Sequence, residues 1–239
     1  MSRRAPAAAS PRLRRLAQRG ARQPEVEERC DLCGREIPAD HRHLLDLESR
    51  QLLCACRACS LLFDRAAAGG GHFRLIPDRH LEIVDFELAE ADWEELSIPV
   101  EMAFFFRPSS GEGVQAFYPS PMGATESALG LEAWERVEGA NPVLAQMEPD
   151  VESLLVNRAR GARRYWLVPI DECYRLVGLI RTRWKGLSGG KEVWVEIQRF
   201  FDELDGRSRP VGREGSRTET IVAASAAAGG EEERWPRSG

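Results

Sequence analysis

The 239-residue chain has a formal net charge of -5, and its longest apolar stretch with any claim to a membrane, AFFF at 103 to 106, is closed off by Glu101 and Arg107. A span needs roughly 20 apolar residues, so no transmembrane helix is expected. The length suits one generous domain or two small ones, with a core that does not depend on disulfides, and the arginine-bearing N-terminus lacks the apolar segment of a secretory signal, so a reducing cytoplasm is the expected compartment.

Residues 1–26 read as a disordered basic arm, with a short helix at Pro11 to Arg22 as the alternative within it. Residues 1 to 23 hold seven arginines and no acids, which leaves the remainder of the chain at -12. A body that acidic repels phosphate backbones, so a broad nucleic-acid face is not expected on it, although the arm alone could touch nucleic acid or an acidic protein.

Residues 27–72 form a four-cysteine module. Cys30 and Cys33 make one C-x2-C, followed by Gly34, and Cys56 and Cys59 make a second after 22 intervening residues. Two thiolates three positions apart on a tight turn can face one ion while backbone N–H groups bond the sulfurs, and Gly34 supplies the left-handed backbone that turns the chain away. These four cysteines are the expected metal ligands. Between the knuckles, His43 to Leu47 and Gln51 to Ala55 suit a hairpin. Cys56 to Ala68 then reads as a helix, ended by Gly69, Gly70 and Gly71. Knuckle, hairpin and helix in this order resemble a treble-clef zinc finger, with a zinc ribbon as the neighbouring alternative. Zinc is the expected ion, and an S4 set also suits iron.

Cys54 leaves three readings open: a substitute for Cys56, a buried thiol beside the site, or a sulfur for a second, transient ion. All four histidines, 41, 43, 72 and 80, fall in the same region, which invites comparison with HNH-type nucleases. Those need a further ligand in the helix, and here Ser60, Leu61, Leu62 and Phe63 follow Cys59, so His41 and His43 are read as hairpin-surface residues or supports of the ligands.

Residues 73–205 read as an α+β domain with antiparallel strands, residues 74 to 88 linking it to the module. Ile98 to Phe106 suggests a central strand, since Val100, Met102, Phe104 and Phe106 take one face and Ala103 and Phe105 the other. Val114 to Tyr118 is its antiparallel partner. A short helix is expected to begin at Thr125 and Glu126, followed by Leu129, Leu131 and Trp134, with a helix over Val151 to Ala159 and a strand at Tyr165 to Pro169. Asp171 is the expected N-cap of a helix with Cys173, Leu176, Val177, Ile180 and Trp184 on one face, and a last helix starts at Lys191. Residues 206–239, mixed in Gly, Ser, Ala and charge, read as a disordered tail.

Two features imitate functional motifs. GLSGGKE looks like part of a phosphate loop, but its glycine spacing is short and Glu192 stands where Ser or Thr would bind magnesium, so it reads as an inter-helix turn. Cys173, in the first turn of a helix, could be a reactive thiol, with a buried thiol as the plainer reading. No catalytic residues are assigned.

The segments CDLCG, HRHLLDL, LLCACRAC, AFYPSPMGATES and VPIDECYRLVGLIRTRWKGLSGGKEVW together resemble an uncharacterised, largely actinobacterial protein family encoded near [NiFe]-hydrogenase genes, over roughly residues 27 to 205. The resemblance implies an accessory role with a protein partner such as a hydrogenase subunit or maturation factor. A non-catalytic, metal-binding accessory protein is therefore the leading expectation. A rubredoxin-like iron carrier and a zinc-containing nucleic-acid-binding regulator are the alternatives.

Overall fold

The computed structural model describes residues 28–64, 70–111, 113–186 and 188–215. The basic arm and residues 216–239 lie outside them. In chain order the elements are β1 (Arg42–Asp46), β2 (Gln51–Ala55), α1 (Arg57–Phe63), β3 (Phe73–Leu75), β4 (Leu81–Ile83), α2 (Glu90–Glu95), β5 (Met102–Phe106), β6 (Gln115–Ser120), β7 (Gly123–Ser127), α3 (Leu131–Ala140), β8 (Glu152–Asn157), β9 (Arg164–Pro169), α4 (Ile170–Arg183), α5 (Gly190–Arg207) and β10 (Arg209–Val211).

Two sheets organise these elements. A three-stranded antiparallel sheet runs β2-β1-β3, and a seven-stranded sheet runs β10-β4-β9-β8-β5-β6-β7, antiparallel except where β10 lies parallel to β4. Strand side chains alternate between faces, so a strand buried on both sides must be apolar throughout. Met102, Phe104, Phe106, Leu155, Trp166 and Val168 face one core, with Leu176, Ile180, Ile197 and Phe201 of α4 and α5. Ala103, Phe105, Leu154, Val156, Tyr165 and Leu167 face the other, with Trp134 and Val137 of α3 and the turn carrying Val143 and Leu144. The mixed α+β class with antiparallel sheets is as expected, and so are the two faces of β5 over Met102–Phe106, whereas Ile98 and Val100 precede the strand and Val100 is exposed.

Several expectations are corrected. Within Val151 to Ala159, Glu152–Asn157 forms strand β8, not a helix, because it lies between β9 and β5 with every residue buried. Thr125 and Glu126 belong to β7, and the helix begins only at Leu131. Pro169, not Asp171, caps α4, leaving the Asp171 carboxylate free for another partner. The tail expected from 206 begins inside α5, and Arg209–Val211 adds a strand beside β4. The module does not stop at 72 either, since β3 pairs with β1.

The small sheet is fastened to the large one. Leu45 and Ile76 belong to the body's own core. Arg50 Nη1 donates to Asp150 Oδ1 at 2.8 Å, where the carboxylate is wholly buried and also accepts from Ser109 N–H. His43 Nδ1 lies 2.8 Å from Asp171 Oδ2 at the start of α4. Arg79 forks onto the buried Glu152 of β8 through both carboxylate oxygens.

Candidate metal centre

The first knuckle is a tight turn: Cys30 N–H donates to Arg35 O and Gly34 N–H to Cys30 O, both at 2.8 Å. Gly34 has φ +71, a backbone conformation that side chains with a Cβ rarely adopt. Asp31 straps this turn to the end of the hairpin, its N–H donating to Cys54 O at 2.9 Å while its Oδ2 accepts from Cys54 N–H at 2.6 Å. The second knuckle is built into a helix start. Cys56 is the N-cap of α1, and its Sγ accepts from Cys59 N–H at 3.5 Å.

These elements bring Cys30, Cys33, Cys56 and Cys59 together, each offering a sulfur within 4.8 Å of the others, as a group able to hold a metal ion. Cys33 Sγ and Cys56 Sγ are 3.8 Å apart, the separation that a tetrahedral ion with bonds of about 2.3 Å imposes on two thiolates. Cys30, Cys56 and Cys59 are buried and Cys33 is exposed. Burial works against the Cys30 thiolate, but backbone N–H groups of Cys56, Cys33 and Leu32 outweigh it and hold that thiol down to about 6. The Cys59 N–H likewise lowers Cys56, whereas burial and the neighbouring sulfurs push Cys59 up to about 12. The cradle thus favours anionic sulfur, and crowding four thiols without a cation forces one to keep its proton.

Cys54 lies outside this set. It sits on β2 directly opposite His43 of β1, and with His41 they form a second group of ligating side chains. The His41 side chain is only 6% exposed, so the expectation of a hairpin-surface residue fails for it. The sequence reading missed this group, because hairpin arms of 43 to 47 and 51 to 55 set His43 against Ala55, one position from the observed partner Cys54.

The features that imitate motifs resolve simply. Residues 184–186 and 188–189 lie between α4 and α5, and a Cβ on Gly189 would meet the Trp184 ring at 2.9 Å and Val193 at 2.8 Å, so its φ of +81 and its lack of a side chain are both needed there. Cys173 is fully buried, and burial raises its thiol well above the ordinary value, which makes it a packing residue. Among the described residues no helix is long and apolar enough to cross a membrane.

Fold and site define a class: an α+β protein carrying, at its N-terminal end, a hairpin module with a four-cysteine cluster able to hold a metal ion. The chain belongs to the family of unknown function DUF5947, whose family model matches residues 29–208. No curated protein and no solved structure matches the chain.

Proposed function

We propose that this is a non-catalytic accessory protein in which one structural zinc ion, held by Cys30, Cys33, Cys56 and Cys59, shapes an N-terminal treble-clef module, and that the module and body together dock on a protein partner. The observation that carries the reading is the convergence of four thiols within 4.8 Å from a knuckle and a helix start. Such a closed S4 set leaves no ligand position open on the ion, which suits a structural role. Beside the ion site, a groove of about 700 Å³ is lined in part by Pro38, Arg57 and Leu61. Leu61 and Leu62 on α1 are 58% and 53% exposed, an apolar pair that a partner would cover. The resemblance to a hydrogenase-linked family makes a hydrogenase subunit or maturation factor the partner to test.

Pull-downs of full-length protein from hydrogen-metabolising cells test this directly. We expect a hydrogenase component to be recovered, recovery to persist when residues 1–23 are deleted, and Leu61→Asp to abolish it while one zinc per chain remains. Recovery of nucleic acid alone, lost with the arginine arm and steeply salt-dependent, would replace this reading with that of a regulator. A coloured, reversibly reducible protein from iron-replete cells would replace it with that of an iron carrier.

A further inference from the structure

The hairpin carries a second cluster that the four-cysteine site does not use. His43 is the second residue of β1 and His41 immediately precedes that strand, their ring centroids 4.8 Å apart and edge-on. Cys54 is the register partner of His43 on β2. Each of the three offers a ligand atom within 4.8 Å of the other two. A tetrahedral ion with bonds of about 2.0–2.3 Å sets its ligand atoms roughly 3.3–3.8 Å apart, so side-chain rotation of about an ångström would close the cluster on an ion.

The surroundings of the two imidazoles point the same way. His41 Nδ1 lies 2.9 Å from Pro38 O and 3.2 Å from Glu28 Oε2. His43 Nδ1 lies 2.8 Å from Asp171 Oδ2. Both Nδ1–H groups therefore donate to fixed acceptors, each with a carboxylate behind it. That is the arrangement that orients a metal-binding histidine and leaves its Nε2 lone pair for the ion. His41 supplies an independent sign of a ligand: its Nε2 is buried and has no hydrogen-bond partner, on a side chain only 6% exposed. Buried polar nitrogens are nearly always satisfied, and this one is spare.

We propose that His41, His43 and Cys54 form a second metal site, for a borderline-soft divalent ion of the zinc class, held through the two Nε2 atoms and the Cys54 sulfur. Two imidazoles and a thiolate select such an ion over magnesium or calcium, and three protein ligands leave a fourth position open to solvent or an incoming donor. An open, three-ligand site exchanges its ion more readily than the closed four-sulfur site. The ion here is thus exchangeable and the four-cysteine ion is not. Asp171 acts as a positioning residue, and because it belongs to α4 it ties the second site to the body.

The test uses full-length protein whose four-cysteine site is filled with zinc, titrated with Co2+ as a spectroscopic probe. Wild type should take up one further equivalent, with tetrahedral d–d bands and a sulfur-to-cobalt charge-transfer band. Cys54→Ser should lose the charge-transfer band and bind at least tenfold more weakly. His41→Gln should also bind at least tenfold more weakly. Asp171→Asn should weaken the site about 10–100-fold while keeping all three ligands. All three variants should retain the first zinc, which Cys33→Ala alone removes. A wild type that takes no second equivalent, or variants that titrate like wild type, overturn the second site. Loss of the first zinc in Cys54→Ser overturns it too, by making Cys54 a ligand of the first site. Retention of the first zinc in Cys33→Ala counts instead against the four-cysteine assignment and leaves the cobalt result to stand by itself.

Discussion

Phe104, Phe105, Leu154, Leu155, Trp166 and Leu167 are all essentially inaccessible in the body, on two faces of one sheet, whereas the knuckle end of the chain buries three cysteines against which, among the described residues, Leu32, Ile37 and Phe63 are partly packed. Each buried body side chain contributes about 1.5–3 kcal/mol, and a dozen such residues stabilise a domain without help. Three thiols and three half-covered apolar residues cannot offset the conformational entropy of ordering the turns that carry them, at roughly 1–2 kcal/mol per residue. An ion held by the four sulfurs would supply the difference. The hairpin lies between these regimes, since Leu45 sits in the body's core while Cys54, nine positions later, is strapped to the knuckle through Asp31.

The largest expected effect follows from that contrast. Cys33→Ala, or a strong chelator, should release the ion and melt residues 28–40 and α1, because structural zinc binding is itself about 10 kcal/mol or more of folding free energy. Hydrogen exchange should show Cys30, Gly34 and Cys54 amides losing protection while β8 and β9 keep theirs. If all the amides open together, the two regions are one cooperative unit and the contrast is wrong.

The converse substitution works on the body. Phe104→Ala removes a fully buried ring stacked on Phe117 and should cost about 3–5 kcal/mol, read as a lower urea midpoint for the whole chain. The fraction that stays folded should still hold its metal. A variant that loses the metal before the sheet unfolds would show that the module leans on the body more than Leu45 and Ile76 suggest.

The same division decides what could be read in the sequence. The four-cysteine cluster was legible because its signals are local: two C-x2-C turns, a glycine that accepts positive φ, and a helix start three residues from its own second ligand. Strand β5 was legible because apolar residues on both faces in a run of aromatics leave few other structures. β8 was not, since ESLLVN is equally apolar on both sides of a helix or a strand, and its place between β9 and β5 is fixed by contacts far along the chain. Asp171 is a good N-cap by residue type, yet its carboxylate is engaged by His43, 128 positions away. β10 hid in a segment of tail-like composition, because a three-residue strand containing a proline is stable only against β4.

The smallest expected effect lies at the seam between the regions. Glu172, next to Asp171 on α4, is nearly buried and is held by His80, Arg175 and Arg207. Burial alone would raise its carboxyl, but the His80 and Arg207 hydrogen bonds and the two guanidinium charges win and bring it down from 4.5 to about 2. A carboxylate depressed in the folded state stabilises at every pH above its unfolded value near 4.5, and that contribution disappears as pH falls toward 2. Glu172→Gln should therefore cost about 2 kcal/mol at neutral pH, discounted from the full shift because its arginine partners are half exposed. Urea unfolding of wild type and variant, followed by the fluorescence of buried Trp166, should give curves that separate at pH 7 and close together between pH 4.5 and 2. A gap that stays constant over that range would mean Glu172 contributes by packing alone. The seam would then be held by the Arg50–Asp150 and His43–Asp171 pairs and the apolar contacts of Leu45 and Ile76, without help from this carboxylate.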